Sequence, residues 1–476
     1  VLREKGLAVG DHFSLMMENN LTFFCFVWAA YRAGFCITAI NRYLTASEAA
    51  YIVQDSDSKV LISSANLDVS AELGRRVASH CPVLLSYGGA IEGFDAIEPL
   101  LAQQPAEPLA VDTTCGQAML YSSGTTGRPK GVLRPMPEHD ITQGLAIAEV
   151  MRAFGFSENT RYLSPAPLYH AAPFHYSIGT QSLGGCVYMM EKFDPKDALE
   201  AIEKYRITQS QWVPTMFLRM LKLPEEIRQA YDLSSHRLAI HAAAPCPVEA
   251  KRRMIEWWGP ILFEYYAGSE GNGVTVITSP DWLEHPGSVG RPLGCLVHIC
   301  GEDGEELPAG ETGTIYFEQP EAPTLFTYHK DADKTLSSRH PLNKAWTTLG
   351  DIGYLDAEGY LYLTDRKAYM IISGGVNIYP REIEDVLVMH PQVVDAAVFG
   401  IPNADFGEEV KAVVQWQDEL PEGQKASTIE QDLMAYCRES LAPFKIPRSI
   451  DFTEELPRLP TGKLYKRILR DSYLET

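Results

Sequence analysis

Between about residue 50 and residue 300 the chain alternates short β-rich runs with helical stretches, and no other feature narrows its fold as far. VLIS, PVLLSY, GCVYMM, RLAIHAAA and ILFEYYAG are the strand-like runs, with 195–205 and 247–258 among the helices between them. Strands in this alternation pair in parallel, because the intervening helix supplies the long crossover that parallel strands need. An α/β architecture follows. From about 286 to 364 the texture changes to glycine-punctuated strands, LVHIC, GTIYFE and GYLYLTD, which predict a small antiparallel, β-barrel-like subdomain. After Asp365-Arg366-Lys367, YMIISGGVNIYPREIEDVLVMHPQVVDAAVFGIP reads as strand, glycine turn, proline-started helix and strand, and EEVKAVVQW adds another strand. That is a compact α+β unit. A chain of 476 residues exceeds what one core fills, and the expected division is 1–367 and 368–476.

Composition removes several function classes. A formal charge of −21 argues against general nucleic-acid binding, which needs a basic face, and means that an anionic ligand must meet local cations. Nine scattered cysteines with no C-x-x-C pair suggest reduced thiols and a cytoplasmic protein. The most apolar stretch, LTFFCFVWAAYRAGFCITAI at 21–40, is interrupted by Arg32 and Gly34 and divides into a buried helix and a strand from about Phe35. No transmembrane segment is therefore expected. Asp11 and Glu18 occupy the region where a secretory signal would be apolar, and Val1 reads as lying inside a helix end, so some N-terminal elements are expected to be missing.

YSSGTTGRPKGV at 121–132 concentrates glycines and hydroxyls around Lys130. Glycines let backbone N–H groups approach a polyanion, and serine and threonine add hydroxyl donors. The common phosphate loop does not fit. Pro129 stands where its second glycine belongs, Gly131 follows the lysine, and the flanks AMLY and GVL read as strands. A hairpin-like phosphate cradle and a plain solvated turn both remain open. Glu270 in YYAGSE is either an ordinary strand-end acid or a carboxylate that small neighbours let a ligand approach. Asp351 in TTLGDIG either bonds its own turn or accepts two hydroxyls, as from a ribose diol. Arg366 lies at the expected junction, and Lys463 follows a Pro/Gly-stiffened loop in PRLPTGKLYKR.

Taken in order, YSSGTTGRPKGV, YYAGSE, TTLGDIG, DRKAYMIISGGVNIYP and LPTGK resemble the adenylate-forming superfamily of acyl-CoA synthetases, peptide-synthetase adenylation domains and luciferases. Within it the chain is most similar to bacterial carboxylic acid–CoA ligases. The resemblance implies an N-terminal AMP-binding domain and a small mobile C-terminal domain. ATP and a carboxylic acid would form an acyl-adenylate and pyrophosphate, and the CoA thiol would then displace AMP. It implies that Ser122, Ser123, Gly124, Thr125, Thr126, Gly127 and Lys130 hold the β- and γ-phosphates. Tyr266 would stack on adenine, Ser269 would reach the α-phosphate, Glu270 would hold Mg2+, and Asp351 and Arg366 would grip the ribose. Lys463 would be the adenylation lysine and His170 would close on the adenylate. Gly374 and Gly375 would line the pantetheine channel, and Phe444 and Arg448 would bind CoA. Departures from the pattern are Ala368 at the hinge, Ile446 where such a ligase can carry Arg, Asn377 where many relatives have Glu, and Ala267 for a usual Gly.

The acid is expected to be uncharged beyond its carboxylate, because 162–190 holds no Asp, Glu, Lys or Arg to pair with a second charge. His175, Gly179, Gly184, Trp212 and Val213 are expected to line the acyl pocket, which suits an aliphatic, aromatic or steroid-like chain. His170 and His175 stand five apart, off the spacing of a helical metal pair. The expected partners are ATP, CoA and the small-molecule acid, and a homodimer is compatible with the sequence. Two alternatives stay open: an acyl-AMP ligase loading a carrier protein, and a catalytically silent nucleotide-binding homologue.

Overall fold

Asn20 opens the first long helix, Leu21–Ala33, by accepting the N–H groups of Thr22 and Phe23 through its side chain, and Gly34 ends it. The chain then enters the strand Cys36–Ala39, so the apolar stretch divides where Arg32 and Gly34 imply. No helix among the described residues is long and apolar enough to cross a membrane. The structure is a computed structural model that describes all residues except 108–113, 123–128, 321–325, 367–368, 374–375, 404, 418, 420–422, 459–463, 465 and 475–476. The side chains of Ser122, Asp365, Arg366, Asn377, Gln424 and Arg467 are also outside the description.

Parallel pairing dominates the first two thirds of the chain. His12–Met16 and Val60–Ser64 lie at the centre of a six-stranded parallel sheet that ends on Gln117–Ala118. A second sheet has eleven strands. Its first five, Cys186–Met189, Arg161–Ser164, Gln209–Trp212, Leu238–His241 and Leu262–Ala267, are parallel in that order. The glycine-punctuated strands are not a separate sheet. Val274–Thr278 pairs antiparallel with Leu262–Ala267, and Ser288–Pro292, Leu361–Arg366, Asp351–Leu355, Gly313–Glu318 and Leu296–Cys300 continue outward from it. Gly290 permits the change of direction. Its φ is +94°, and a Cβ there would lie 1.9 Å from the Val276 carbonyl oxygen, so no other residue fits the bulge.

The C-terminal part forms its own five-stranded sheet around the long hairpin Val393–Asn403 and Gly407–Trp416, with Ser449–Thr453 added in parallel. The helix Pro380–Leu387 begins on its proline, as the sequence implies. Contacts tie this sheet to the rest: Arg381 donates to the Leu363 carbonyl at 3.3 Å and Lys222 donates to the Val393 carbonyl. Both contacts use a long cation on a backbone acceptor.

Candidate active site

Three strand ends and one helix start carry the site. The strands Leu120–Ser122 and Lys130–Leu133 pair antiparallel with Tyr121 opposite Gly131, so the glycine-rich loop does join two strands of a hairpin. Ser123, Gly124, Thr125, Thr126 and Gly127 lie outside the described residues, as does the Ser122 side chain. Lys130 is described. Its Nζ stands 2.9 Å from Asp331 Oδ2 and 5.7 Å from the centre of the Tyr328 ring.

The strand Leu262–Ala267 delivers Tyr266 and, through the turn that follows, Ser269 and Glu270. Tyr266 Oη donates to Asp351 Oδ2 at 2.7 Å. Asp351 opens the strand Asp351–Leu355 and is 8% exposed, so it is a buried strand residue rather than a turn residue. Directly across the ladder from it stands Arg366, whose side chain lies outside the description. Glu270 Oε1 accepts from Tyr328 Oη at 2.7 Å. Arg134 reaches over the same turn, donating to the Ser269 carbonyl at 3.3 Å and facing the Glu270 charge. Gln319 Nε2 closes the turn by donating to the Gly271 carbonyl at 2.8 Å.

His170 precedes the helix Ala171–Ser182, its ring 4.2 Å from that of Tyr169. His175 sits one turn along, with Nδ1 2.7 Å from the Ala171 carbonyl, so that nitrogen carries the hydrogen and donates. Burial, aided by the neighbouring Arg134 charge, pulls its pKa down to about 4. The ring is therefore neutral near pH 7.

The structure corrects part of the expected acyl pocket. A Cβ on Gly179 would lie 2.3 Å from Met151 Sδ, so this glycine makes room for the helix Ala146–Ala153. Gly184 has φ +83° and turns the chain out of its helix. Trp212 is 1% exposed, packs among Phe193, Phe217 and Trp258, and donates its indole N–H to Ser210 Oγ. It is core. Val213 packs against that same core just ahead of the helix Pro214–Leu221.

In the C-terminal part Phe444 is 52% exposed, and the Arg448 guanidinium lies 4.4 Å over the Phe406 ring. Ile446 turns inward and is buried. The strands Ile371–Ser373 and Val376–Ile378 form a hairpin, but Gly374 and Gly375 at its tip, Ala368 and Lys463 all lie outside the described residues. Among the described residues no three His, Cys, Asp or Glu side chains converge on a metal position. Glu270 as a lone carboxylate suits Mg2+ all the same, since that ion keeps phosphate oxygens and waters for most of its six positions.

Tyr328, Asp331, Arg134 and Gln319 were not singled out by motif. Only Arg134 carries a sequence signal, being a cation two residues past Val132 on the hairpin's second strand.

Tyr266 bonded to buried Asp351 within the eleven-stranded sheet, and Lys130 on a hairpin beside the Glu270 partner Tyr328, are parts that suit a nucleotide site, and the family matches make the class adenylate-forming. Residues 1–325 match the AMP-binding enzyme family, and residues 382–463 match the AMP-binding enzyme C-terminal domain. The chain belongs to this family. It is 32% identical to the long-chain-fatty-acid–CoA ligase FadD13 of Mycobacterium tuberculosis, over 100% of this chain and 91% of that one. It is 31% identical to a feruloyl-CoA synthase of an Amycolatopsis species, over 98% and 90% of the two chains. Among solved structures, the amide bond synthetase McbA from Marinactinospora thermotolerans superposes with a TM-score of 0.80 at 28% identity, covering 99% of this chain and 92% of that one.

Proposed function

We propose that the protein is an AMP-forming carboxylic acid–CoA ligase, acting on a hydrophobic acid in a reducing, cytoplasmic compartment. The observation that carries the proposal is the arrangement of Tyr266, Asp351, Glu270 and Lys130. A buried carboxylate with one tyrosine donor sits beside a turn whose own carboxylate faces the lysine strand. Asp351, with Arg366 across the ladder, would take the ribose diol, Tyr266 would carry the adenine, and Ser269 would meet the α-phosphate. Glu270 would hold Mg2+, which screens the phosphate charge when bound. A carboxylate oxygen of the acid attacks the α-phosphorus and pyrophosphate leaves. Lys463 would bring the two anions together, and Lys130 with the loop ahead of it would hold the leaving group. CoA sulfur then attacks the acyl carbon and AMP departs. His175, held neutral, adds no second charge to the acyl side, and all nine cysteines are unpaired.

The boundary between the adenylating domain and the small domain is proposed at 367/368. One observation favours a second reading, in which the acyl group goes to another acceptor: Ile446 is buried where a cation would be expected to meet CoA phosphate. Acid-dependent ATP–pyrophosphate exchange over aliphatic, aromatic and steroid acids, with AMP release measured with and without CoA, separates these readings. Exchange plus CoA-dependent AMP release is the expected result. Lys463→Ala should abolish exchange while sparing thioester formation from supplied acyl-adenylate, and equal loss in both half-reactions would refute its assignment.

A further inference from the structure

The roles proposed so far leave Asp331 and Tyr328 without one, although each touches a residue that has one. Both lie in the segment 326–335, which is laid along the hairpin that holds the glycine-rich loop. Its strand Thr327–Tyr328 pairs antiparallel with Lys130–Leu133, Tyr328 opposite Val132, and the His329 N–H donates to the Gly131 carbonyl at 2.8 Å. Phe326, Tyr328 and Val132 are buried together. The chain then turns into the helix Ala332–Ser337, and Asp331 serves both sides of that turn. Its Oδ1 accepts the Lys334 N–H at 2.9 Å and caps the helix, while its Oδ2 meets Lys130 Nζ at 2.9 Å.

Several bonds fix the segment in place. Thr335 Oγ1 accepts the Tyr328 N–H at 3.0 Å and donates to the Asp331 carbonyl at 2.8 Å. On the other side Lys330 donates to the Asp55 carbonyl at 2.9 Å and to Asp57 Oδ1 at 2.7 Å, which anchors the segment to the six-stranded sheet's helix Ala46–Asp55 and the turn after it. An element tied down at both ends is able to dictate where its side chains stand. A lysine on a flexible four-carbon stem is not able to do so alone.

We infer that segment 326–335 is the positioning element of the nucleotide site, Asp331 setting Lys130 and Tyr328 setting Glu270. The inference rests on the ATP reading of the site. An ammonium has three donors, so Lys130 keeps one on Asp331 and offers the others to phosphate. The aspartate thereby removes rotamer freedom that the lysine would otherwise lose on meeting the leaving group. It also places a negative charge beside a polyanion. Asp331 therefore weakens ATP binding in the ground state while placing the lysine correctly for pyrophosphate departure.

The two oxygens of Asp331 do separate tasks, which makes a clean substitution available. Asp331→Asn keeps the cap, for which Asn serves as well as Asp, and removes the ion pair. MgATP affinity is measured by calorimetry and turnover by acid-dependent ATP–pyrophosphate exchange, in the full chain and in a Lys130→Met background. Asp331→Asn should tighten MgATP binding about threefold, a change of the size expected for removing one partly exposed like charge. It should slow exchange about tenfold, as a displaced catalytic contact does. The slowing of exchange should vanish in the Lys130→Met background, since it acts through that lysine, whereas the tighter binding is a direct effect of the aspartate charge and should remain. Tyr328→Phe keeps the ring in its cluster and should raise the Mg2+ concentration needed for half-maximal exchange severalfold, with metal-free ATP affinity unchanged. Parameters for Asp331→Asn equal to the unsubstituted chain, or a slowing of exchange that persists without Lys130, would overturn the inference while leaving the ligase reading intact. A full chain that binds no ATP would remove both.

Discussion

The buried pair Lys251–Glu264 allows a loss to be worked out and tested. Lys251 Nζ stands 2.5 Å from Glu264 Oε2, and the two residues are 0% and 4% exposed. The ammonium also lies 4.8 Å over the Trp282 ring, and His241 Nε2 is 3.7 Å from the same carboxylate oxygen. Lys251→Met keeps the apolar stem in its packing and strands the carboxylate. Breaking a buried pair in this way costs about 3–5 kcal/mol, because an unpaired charge remains where water does not reach it. At about 2 °C per kcal/mol for a domain of this size, the thermal midpoint by calorimetry should fall by about 6–10 °C. Lys251→Met combined with Glu264→Leu should recover most of that fall, since a packed apolar pair replaces a buried ionic one at little cost. A single variant within 2 °C of the original chain, or a double variant worse than the single, would refute the reasoning.

Two other outcomes follow from the buried polar groups. Burial holds the pKa of His236 down to about 3 and that of His175, with help from Arg134, down to about 4. Below about pH 6.5 the unfolded chain binds protons at these rings that the folded chain refuses, so each removes up to about 1.4 kcal/mol per pH unit as pH falls toward its folded value. His236→Gln should flatten the decline of the thermal midpoint between pH 6.5 and 4, and an unchanged slope would count against this assignment. Tyr266→Phe keeps the ring but takes the hydroxyl from Asp351, and hydrogen bonds to charged groups contribute about 1.5–3 kcal/mol. ATP should bind about tenfold more weakly to this variant, while 2′,3′-dideoxy-ATP, which offers Asp351 no diol, should bind it as it binds the original chain. Equal losses for the two nucleotides would separate Asp351 from the ribose.

What the sequence disclosed and what it withheld divide along a physical line. The alternation of strand and helix was readable because each element leaves its own period in local sequence, and Arg32 with Gly34 marks where the helix Leu21–Ala33 stops. Lys130, Tyr266, Glu270 and Asp351 stand out in the sequence as candidates because the glycines and hydroxyls around them have little to do in a core. Smallness alone misled. Gly179 and Gly184 suggest space for a ligand, yet one yields to Met151 and the other turns the chain, and no composition separates a gap left for a substrate from a gap left for a neighbouring helix. Trp212 misled in the opposite way, since an apolar side chain beside a site reads the same whether it faces the cavity or the core.

The positioning residues form the last class, and they were unreadable for a different reason. FTYHKDADKT reads locally as a strand entering a capped helix, and it is one. That Asp331 also meets a lysine two hundred residues earlier is a property of strand order, because only the pairing of Thr327–Tyr328 on Lys130–Leu133 brings them together. A group that performs chemistry must be of an unusual type for its surroundings, whereas a group that places another needs only an ordinary donor or acceptor at the right distance. Catalytic candidates in such a chain can therefore be named from motifs, and their supports only from the fold. It follows that substitutions at Asp331 or Tyr328 should alter the nucleotide site without touching any residue that the motifs mark.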